Sequence, residues 1–342
     1  MTRALTIHSA TPGVSIQDMG RAGYLAQGLS RGGAADLLAM AEGAALLGQP
    51  DTCAALELAG GAVALSASDD MRIALTGADM RATLDGAPLV WGASHALPAG
   101  ARLDISPLRG GFGTLHLAGG LVPTVTMGAR SAHLAAGLGR AVQASDVIPV
   151  GADTGHRTGL RLPENPLDTT LRLVPSLQTR LFGTDTLDRL EHTAFTKDAR
   201  GNRMGQRLVP DGDGFATAEG LSILSETIVP GDVQITGDGM PYVLLSECQT
   251  TGGYPRIGTV LPCDLPKLLR AGPGTAFTMR FVPLEDGVAL ERAEATRRAS
   301  LSRLLQPLLR DPREIPDLLR YQLVSGVTAG DDLDQRPQRG AA

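Results

Sequence analysis

The chain has 342 residues, 43% of them hydrophobic, and a formal net charge of −5. That length suffices for two domains or one internally duplicated domain, and the acidic balance argues against a nucleic-acid-binding role. Aromatic residues make up only 3%, so Leu, Val, Ile and Ala must fill the core.

The first residues, Met1–Ile7, lack the apolar core of a signal peptide, and no run approaches the ~18 apolar residues of a membrane helix. Cys53, Cys248 and Cys263 have no CxxC spacing and read as reduced thiols, with Cys248 a buried, inert one, so a cytoplasmic location is expected. Asp36 can cap a helix over Leu37–Leu47, stopped by Gly48 with Pro50 beyond. Met71–Leu75, Arg102–Ile105 and Gly113–Leu117 alternate with a period of two and read as strands, and Asp85-Gly86 is a hairpin signal. The stretch Asp153–Asp168, with Gly155, Pro163 and Pro166, reads as a linker. Thr184 or Asp185 opens a short helix ending at His192. Asp264 can cap a helix over Leu265–Arg270, and Ala276–Phe281 alternates as a strand. Beyond Pro283 the composition turns helical through Leu309, with a second short helix near Ile315–Leu323 and a disordered final dozen residues. The expected chain is mainly β with a few helices: an N-terminal β subdomain over 1–155, a linker over 156–168, a C-terminal β subdomain over 169–284, and a helical extension and tail over 285–342. Alternation alone supports a barrel or a sandwich without choosing between them.

Several motifs are absent. There is no GxxxxGK[ST] phosphate loop, no GxGxxG opening a helix, no GxSxG elbow, and the six histidines are isolated. Asp211-Gly212-Asp213-Gly214 has Phe215 where a calcium loop needs a ligand, so a turn is expected and no metal. A lysine flanked by methionines, the mark of a biotin carrier, is also missing. ATP-driven or biotin chemistry therefore requires partner chains.

Two segments concentrate polar chemistry. Gln249-Thr250-Thr251-Gly252-Gly253-Tyr254-Pro255-Arg256-Ile257 follows the apolar run Tyr242–Leu245, placing amide, hydroxyl, phenol and guanidinium groups on a Gly-Gly turn at a strand end. Gln17-Asp18-Met19-Gly20-Arg21-Ala22-Gly23-Tyr24 repeats that mix. Together with Gly33-Ala34-Ala35-Asp36, Leu56-Glu57, Gly128-Ala129-Arg130-Ser131, Arg203-Met204-Gly205-Gln206-Arg207-Leu208, Ser225-Glu226 and Gly231-Asp232-Val233-Gln234, the ordered series resembles the biotin-dependent carboxyltransferase family, also called allophanate hydrolase subunit 2. That family includes the C subunit of bacterial 5-oxoprolinase and the KipA-type proteins.

The resemblance spans about Ser15 to Phe281 and implies two cyclophilin-like β-barrel subdomains. It also implies a component of an ATP-dependent 5-oxoprolinase, which converts 5-oxoproline to glutamate with an A-type subunit and an allophanate hydrolase subunit 1-like B-type subunit. ATP is then used by the complex rather than bound by this chain alone. The alternatives it leaves are a carboxyltransferase component of a biotin-dependent urea or amide carboxylase, with biotin on a partner, and a KipA-like regulator without turnover. Glu247-Cys248, where the family commonly has an aspartate and a basic residue, and Ser30–Asp36 depart from the family pattern and leave the substrate open.

Opening an amide-like ring needs donors for the carbonyl oxygen, a group to exchange a proton with nitrogen, and a planar fork for any substrate carboxylate. Asp18, Arg21, Arg203, Arg207 and Glu226 are the candidate catalytic residues. Gln17, Tyr24, Arg130, Gln249, Thr250, Thr251 and Tyr254 are the candidate substrate-binding residues. Glu57 and Glu247 are further acid candidates, and Arg256 a further donor. Arg203 and Arg207 can instead pair with Glu226 as a structural ion pair. The site is expected between the halves, near Gln249–Arg256 and Gln17–Tyr24.

Overall fold

The computed structural model describes residues 3–309 apart from Asn165, Leu167 and residues 218–222; the helix expected near Ile315–Leu323 and the expected disordered tail lie outside them. Among the described residues four α-helices, α1 (Leu37–Leu47), α2 (Thr184–His192), α3 (Leu265–Arg270) and α4 (Leu284–Ser300), punctuate a mainly β chain. Among the described residues no helix is long and apolar enough to cross a membrane.

The N-terminal strands form two sheets over one core. One sheet runs in the order Val147–Pro149, Ala4–Ala10, Val63–Ala67, Arg102–Pro107, Met80–Leu84, Ala87–Leu89. The other runs Val14–Gln17, Ala55–Ala59, Phe112–Leu117, Met71–Gly77, Ser94–Leu97. Their inward residues, among them Leu5, Ile7, Leu56, Leu65, Ile73, Leu103 and Leu115, are sealed from water. The Asp85-Gly86 hairpin forms as expected, because both residues take the positive φ (48° and 84°) that a two-residue turn between twisted strands requires. The second half is a closed seven-stranded barrel, in the order Thr170–Val174, Arg256–Val260, Asp232–Ile235, Pro241–Leu244, Gly205–Pro210, Phe195–Gly201, Ala276–Phe281, with the last strand returning to pair in parallel with the first. Closure leaves the barrel itself without a free edge.

Helix α1 begins and ends as its sequence dictates. Asp36 Oδ1 accepts from the Ala39 amide at 2.9 Å, and Gly48 ends the helix at φ +67°. Beneath it, buried His116 occupies the space a side chain at position 43 would need, which makes Gly43 obligatory. Thr76 donates to the Ala39 carbonyl and so accepts from His116 Nε2 at 2.8 Å, fixing a neutral imidazole protonated at Nε2. Burial pulls the His116 pKa down to about 4, against an opposing pull from Asp36. The unfolded chain therefore binds more protons between about pH 4 and 6.5, and stability falls as pH drops through that window, by up to about 3 kcal/mol from this group. Urea melts of the wild type and of His116→Gln should converge at pH 4 and separate at pH 7; parallel pH profiles would rule the effect out.

Two expectations need correction. Asp264 makes no capping hydrogen bond to α3; its own backbone is helical rather than extended (φ −97°, ψ −16°), and its carboxylate turns away to the Arg172 guanidinium at 2.6 Å, the Arg172 amide at 2.8 Å and Lys267 at 2.9 Å. The helix after Pro283 stops at Ser300 rather than Leu309. Beyond a short 3-10 turn, Gln306–Pro307 pairs with Leu160–Arg161, and the residue before a proline is driven to extended backbone.

Candidate functional site

Two arginines from the second half reach into the first. Arg203 sits at the tip of the hairpin between Phe195–Gly201 and Gly205–Pro210. Its guanidinium donates to Glu57, to Glu247 Oε1 at 2.6 Å and to the Gly33 carbonyl. Each carboxylate is also held by a backbone amide: Ala35 on Glu57 at 2.7 Å and Ala135 on Glu247 at 3.0 Å. Burial pushes the Glu57 pKa up despite Arg203; at Glu247 the charge and hydrogen bond of Arg203 outweigh burial and hold it low. Arg270, ending α3, makes the second bridge, with 2.6 Å to Asp36 and 2.9 Å to Glu42. Phe112, Leu245 and Leu269 pack in one apolar cluster between these bridges.

His133 joins the first network, with Nε2 2.9 Å from Ser30 Oγ and Nδ1 3.9 Å from Glu247. Serine, histidine and glutamate in a row suggest a nucleophilic relay. The proton inventory excludes it: Nδ1 accepts from the Ala136 amide at 3.2 Å and has no proton to donate to Glu247. All three residues are buried, and the row is structural.

Beside the Arg203 hairpin, the second half opens a cavity of about 550 Å³. Asn202, Met204, Gln234, Tyr242, Gln249 and Tyr254 contribute to its wall. Glu226–Thr227 pairs with Thr251–Gly252 in a two-stranded ribbon alongside. Gln249 and Tyr254 therefore face a cavity, while Thr250 and Thr251 act chiefly through backbone, the Thr250 carbonyl accepting from Ile228 at 3.1 Å. Cys248 lines the same cavity, and burial pushes its thiol up to about 12, leaving it protonated and inert.

Gln234 is legible in the sequence only as part of a motif, with no role attached. It is 7% exposed, it lines the cavity, and its Nε2 has no hydrogen-bond partner among the described residues. A Cβ on Gly252 would collide with the amide, so glycine at that position makes room for it. An unsatisfied buried amide costs about 1–3 kcal/mol and persists where something else gains from it. Gln234→Leu is accordingly expected to raise stability by about 1 kcal/mol in a denaturant melt; a fall of that size would show the amide to be structurally satisfied.

The other candidates lie elsewhere. Glu226 is held at 2.7 Å by Arg256 and at 2.7 Å by Gln178, and Arg256 also reaches Asp232 at 3.3 Å. Arg207 pairs with Asp198 at 2.8 Å and Asp238 at 3.1 Å. The ion pair of Arg203 or Arg207 with Glu226 does not form, because each arginine has nearer carboxylates of its own. Gln17 is fully buried, donating to Ser15 and the Ala132 carbonyl. Asp18 accepts from the Gly20 and Arg130 amides at 2.9 and 2.6 Å. Arg21 and Arg130 line a separate cavity of about 310 Å³ in the first half, and Tyr24 is half-buried at the start of a 3-10 turn. The two cavities share no lining residue. The segment Arg31–Gly32 nevertheless links the first motif loop to the approach of the second: the Arg21 amide donates to Arg31, and the Gly32 amide donates to Ser246, three residues before Gln249.

Similarity to known proteins follows this arrangement. The C subunit of 5-oxoprolinase from Haemophilus influenzae is 31% identical over 283 residues, covering 81% of this chain and 91% of that protein. Its counterpart of the same name in Escherichia coli is 31% identical, covering 73% and 82%. A "putative urea carboxylase" of Emericella nidulans is 26% identical over 82% of this chain but only 24% of its own length. Among solved structures, TTHA0988 superposes with a TM-score of 0.73 at 31% identity, covering 82% of this chain; this chain spans 56% of that one. The urea amidolyase of K. lactis shares the fold at a TM-score of 0.73 and 20% identity, over 90% of this chain and 21% of that one. The profile of the carboxyltransferase domain, subdomain A and B, matches residues 27–283, and the chain belongs to that family.

Proposed function

We propose that this chain is the C subunit of an ATP-dependent 5-oxoprolinase, acting with A- and B-type partners to open 5-oxo-L-proline to L-glutamate and inactive without them. The observation that carries the proposal is 31% identity extending over 91% of a relative named as the C subunit of that enzyme. The cavity of the second half suits such a substrate. Its volume is in the range of small-molecule sites, and its wall offers neutral amide and phenol groups, from Gln234, Gln249, Tyr242 and Tyr254, that match a lactam N–H and carbonyl.

In this reading Gln234, Gln249 and Tyr254 bind and orient the ring, with Thr250 and Thr251 shaping the loop that carries them. Arg203 and Glu247 fix the two ends of that wall from behind and touch no substrate. Glu226 is a positioning residue, holding the ribbon through Arg256. Asp18 sets the Gln17–Tyr24 turn. This chain contains no phosphate-loop sequence, so the nucleotide is assigned to a partner, and ATP bound there supplies the driving force for ring opening.

The 26% identity to a protein named as a putative urea carboxylase favours one second reading, a carboxyltransferase working with a separate biotin carrier. Mixing this chain with candidate A- and B-type subunits, omitting each in turn, separates the two. ATP-dependent glutamate release from 5-oxoproline that disappears without this chain supports the proposal. Bicarbonate incorporation into urea, dependent on a biotinylated partner and without glutamate release, overturns it.

A further inference from the structure

We infer that the first half carries a second ligand site, for a compact oxyanion on a small apolar body, at the seam where its two sheets fail to close. The outer edges of Val14–Gln17 and Val147–Pro149 face each other without pairing. The segment 122–142 spans the gap, its Ala132 and Val142 amides bonding Ile16 and Val14 and its Val122 amide bonding Pro149. Between that strap and the two edges lies the cavity of about 310 Å³.

The charge at this seam is anomalous for the protein. The chain carries −5 overall, yet the cavity is lined by Arg21, Arg130 and Arg140 against a single acid, Asp146. Asp146 is consumed by Arg140 through paired contacts of 2.7 and 2.8 Å. Arg21 is 3% exposed and pairs with no carboxylate among the described residues. Its hydrogen bonds go instead to the Thr126 carbonyl at 3.1 Å, Ser131 Oγ at 3.2 Å and the Ser131 carbonyl at 2.6 Å. A guanidinium has five N–H bonds, so one on each terminal nitrogen is left over.

A buried cation with neutral partners only is costly unless a counter-charge completes it. The two remaining donors are the number a carboxylate or phosphate takes from an arginine fork. Arg130, exposed at the rim and without a side-chain partner among the described residues, supplies the second positive charge. Ile16, Pro123, Val142, Ile148 and Pro149 give the remaining wall an apolar face, which suits a short carbon skeleton behind the anionic group.

The site is independent of the proposed activity and is tested on the isolated chain, so its failure and the failure of that activity are separable. Thermal unfolding and calorimetric titration would be run with acetate, butyrate and inorganic phosphate, each as the sodium salt with sodium chloride controls at equal ionic strength. At least one of the three should raise Tm and give a saturable isotherm; which one it is distinguishes a carboxylate from a phosphate source. Arg130→Ala should weaken that binding by about tenfold or more, and Arg21→Lys, which keeps charge but loses the fork, should weaken it comparably. Gln234→Leu, in the other cavity, should leave it unchanged. The inference is overturned if no anion shifts the wild type, if binding survives Arg130→Ala at full strength, or if Gln234→Leu abolishes it. Should Arg21→Lys fail to fold, Arg130→Ala at the solvent-facing rim still decides.

Discussion

Replacing Arg203 with methionine is expected to destabilise the protein by about 3–5 kcal/mol, the cost of stripping a buried ion pair of one member. The cost is high here because one guanidinium serves two buried carboxylates and a carbonyl, so its loss leaves Glu57 and Glu247 facing each other without a cation. Both carboxyls would then titrate above their unfolded values, so the folded variant would bind the extra protons. Its deficit should therefore be larger at pH 8 than at pH 5. Arg203→Lys should recover only part of the loss, since a single ammonium cannot span three acceptors set around a planar fork. Guanidinium melts at the two pH values provide the check. A loss under about 1 kcal/mol, or one that ignores pH, would show that the network is solvated and carries little.

Arg270→Met should cost a comparable 3 kcal/mol or so, by the same route. Arg270 holds Asp36, which also caps α1, and Glu42 within α1, so its loss loosens the helix from the second half while leaving two acids close together. Burial already pushes the Glu42 pKa up, with Arg270 opposing it. Glu42→Gln in the Arg270→Met background should restore about 1 kcal/mol by removing one unpaired charge. Strict additivity of the two single variants in a double-mutant cycle would contradict the pairing.

Much of this architecture is written locally and can be read so. Asp36 and Gly48 bracket α1, Asp85-Gly86 turns the hairpin, and Ala276–Phe281 alternates along its whole strand. Such signals concern a few neighbouring residues whose chemistry decides the backbone. The failures share the opposite cause. Asp264 reads as a cap because nothing nearby in sequence announces Arg172, 92 residues away. Helical composition after Pro283 continues to Leu309, but pairing with Leu160–Arg161 ends the helix first.

The site follows the same rule. Gln249 and Tyr254 can be placed at a cavity by their turn, and the family resemblance draws attention to Arg203. That Arg203 serves as a bridge between the halves depends on Glu57, 146 residues away, and on Gly33, 170 away. Gln234 is the sharpest case: glutamine in a strand carries no local signal, and its meaning lies wholly in the partner it lacks.

That missing partner gives the most direct measurement. With this chain assembled into its complex, glutamate formation from 5-oxo-L-proline would be compared between wild type and Gln234→Leu, assembly being checked by gel filtration. Loss of at least about tenfold in kcat/KM, in a variant at least as stable as the wild type, is the result expected if the amide binds the lactam. Unchanged kcat/KM would contradict the assignment of this cavity as the substrate site.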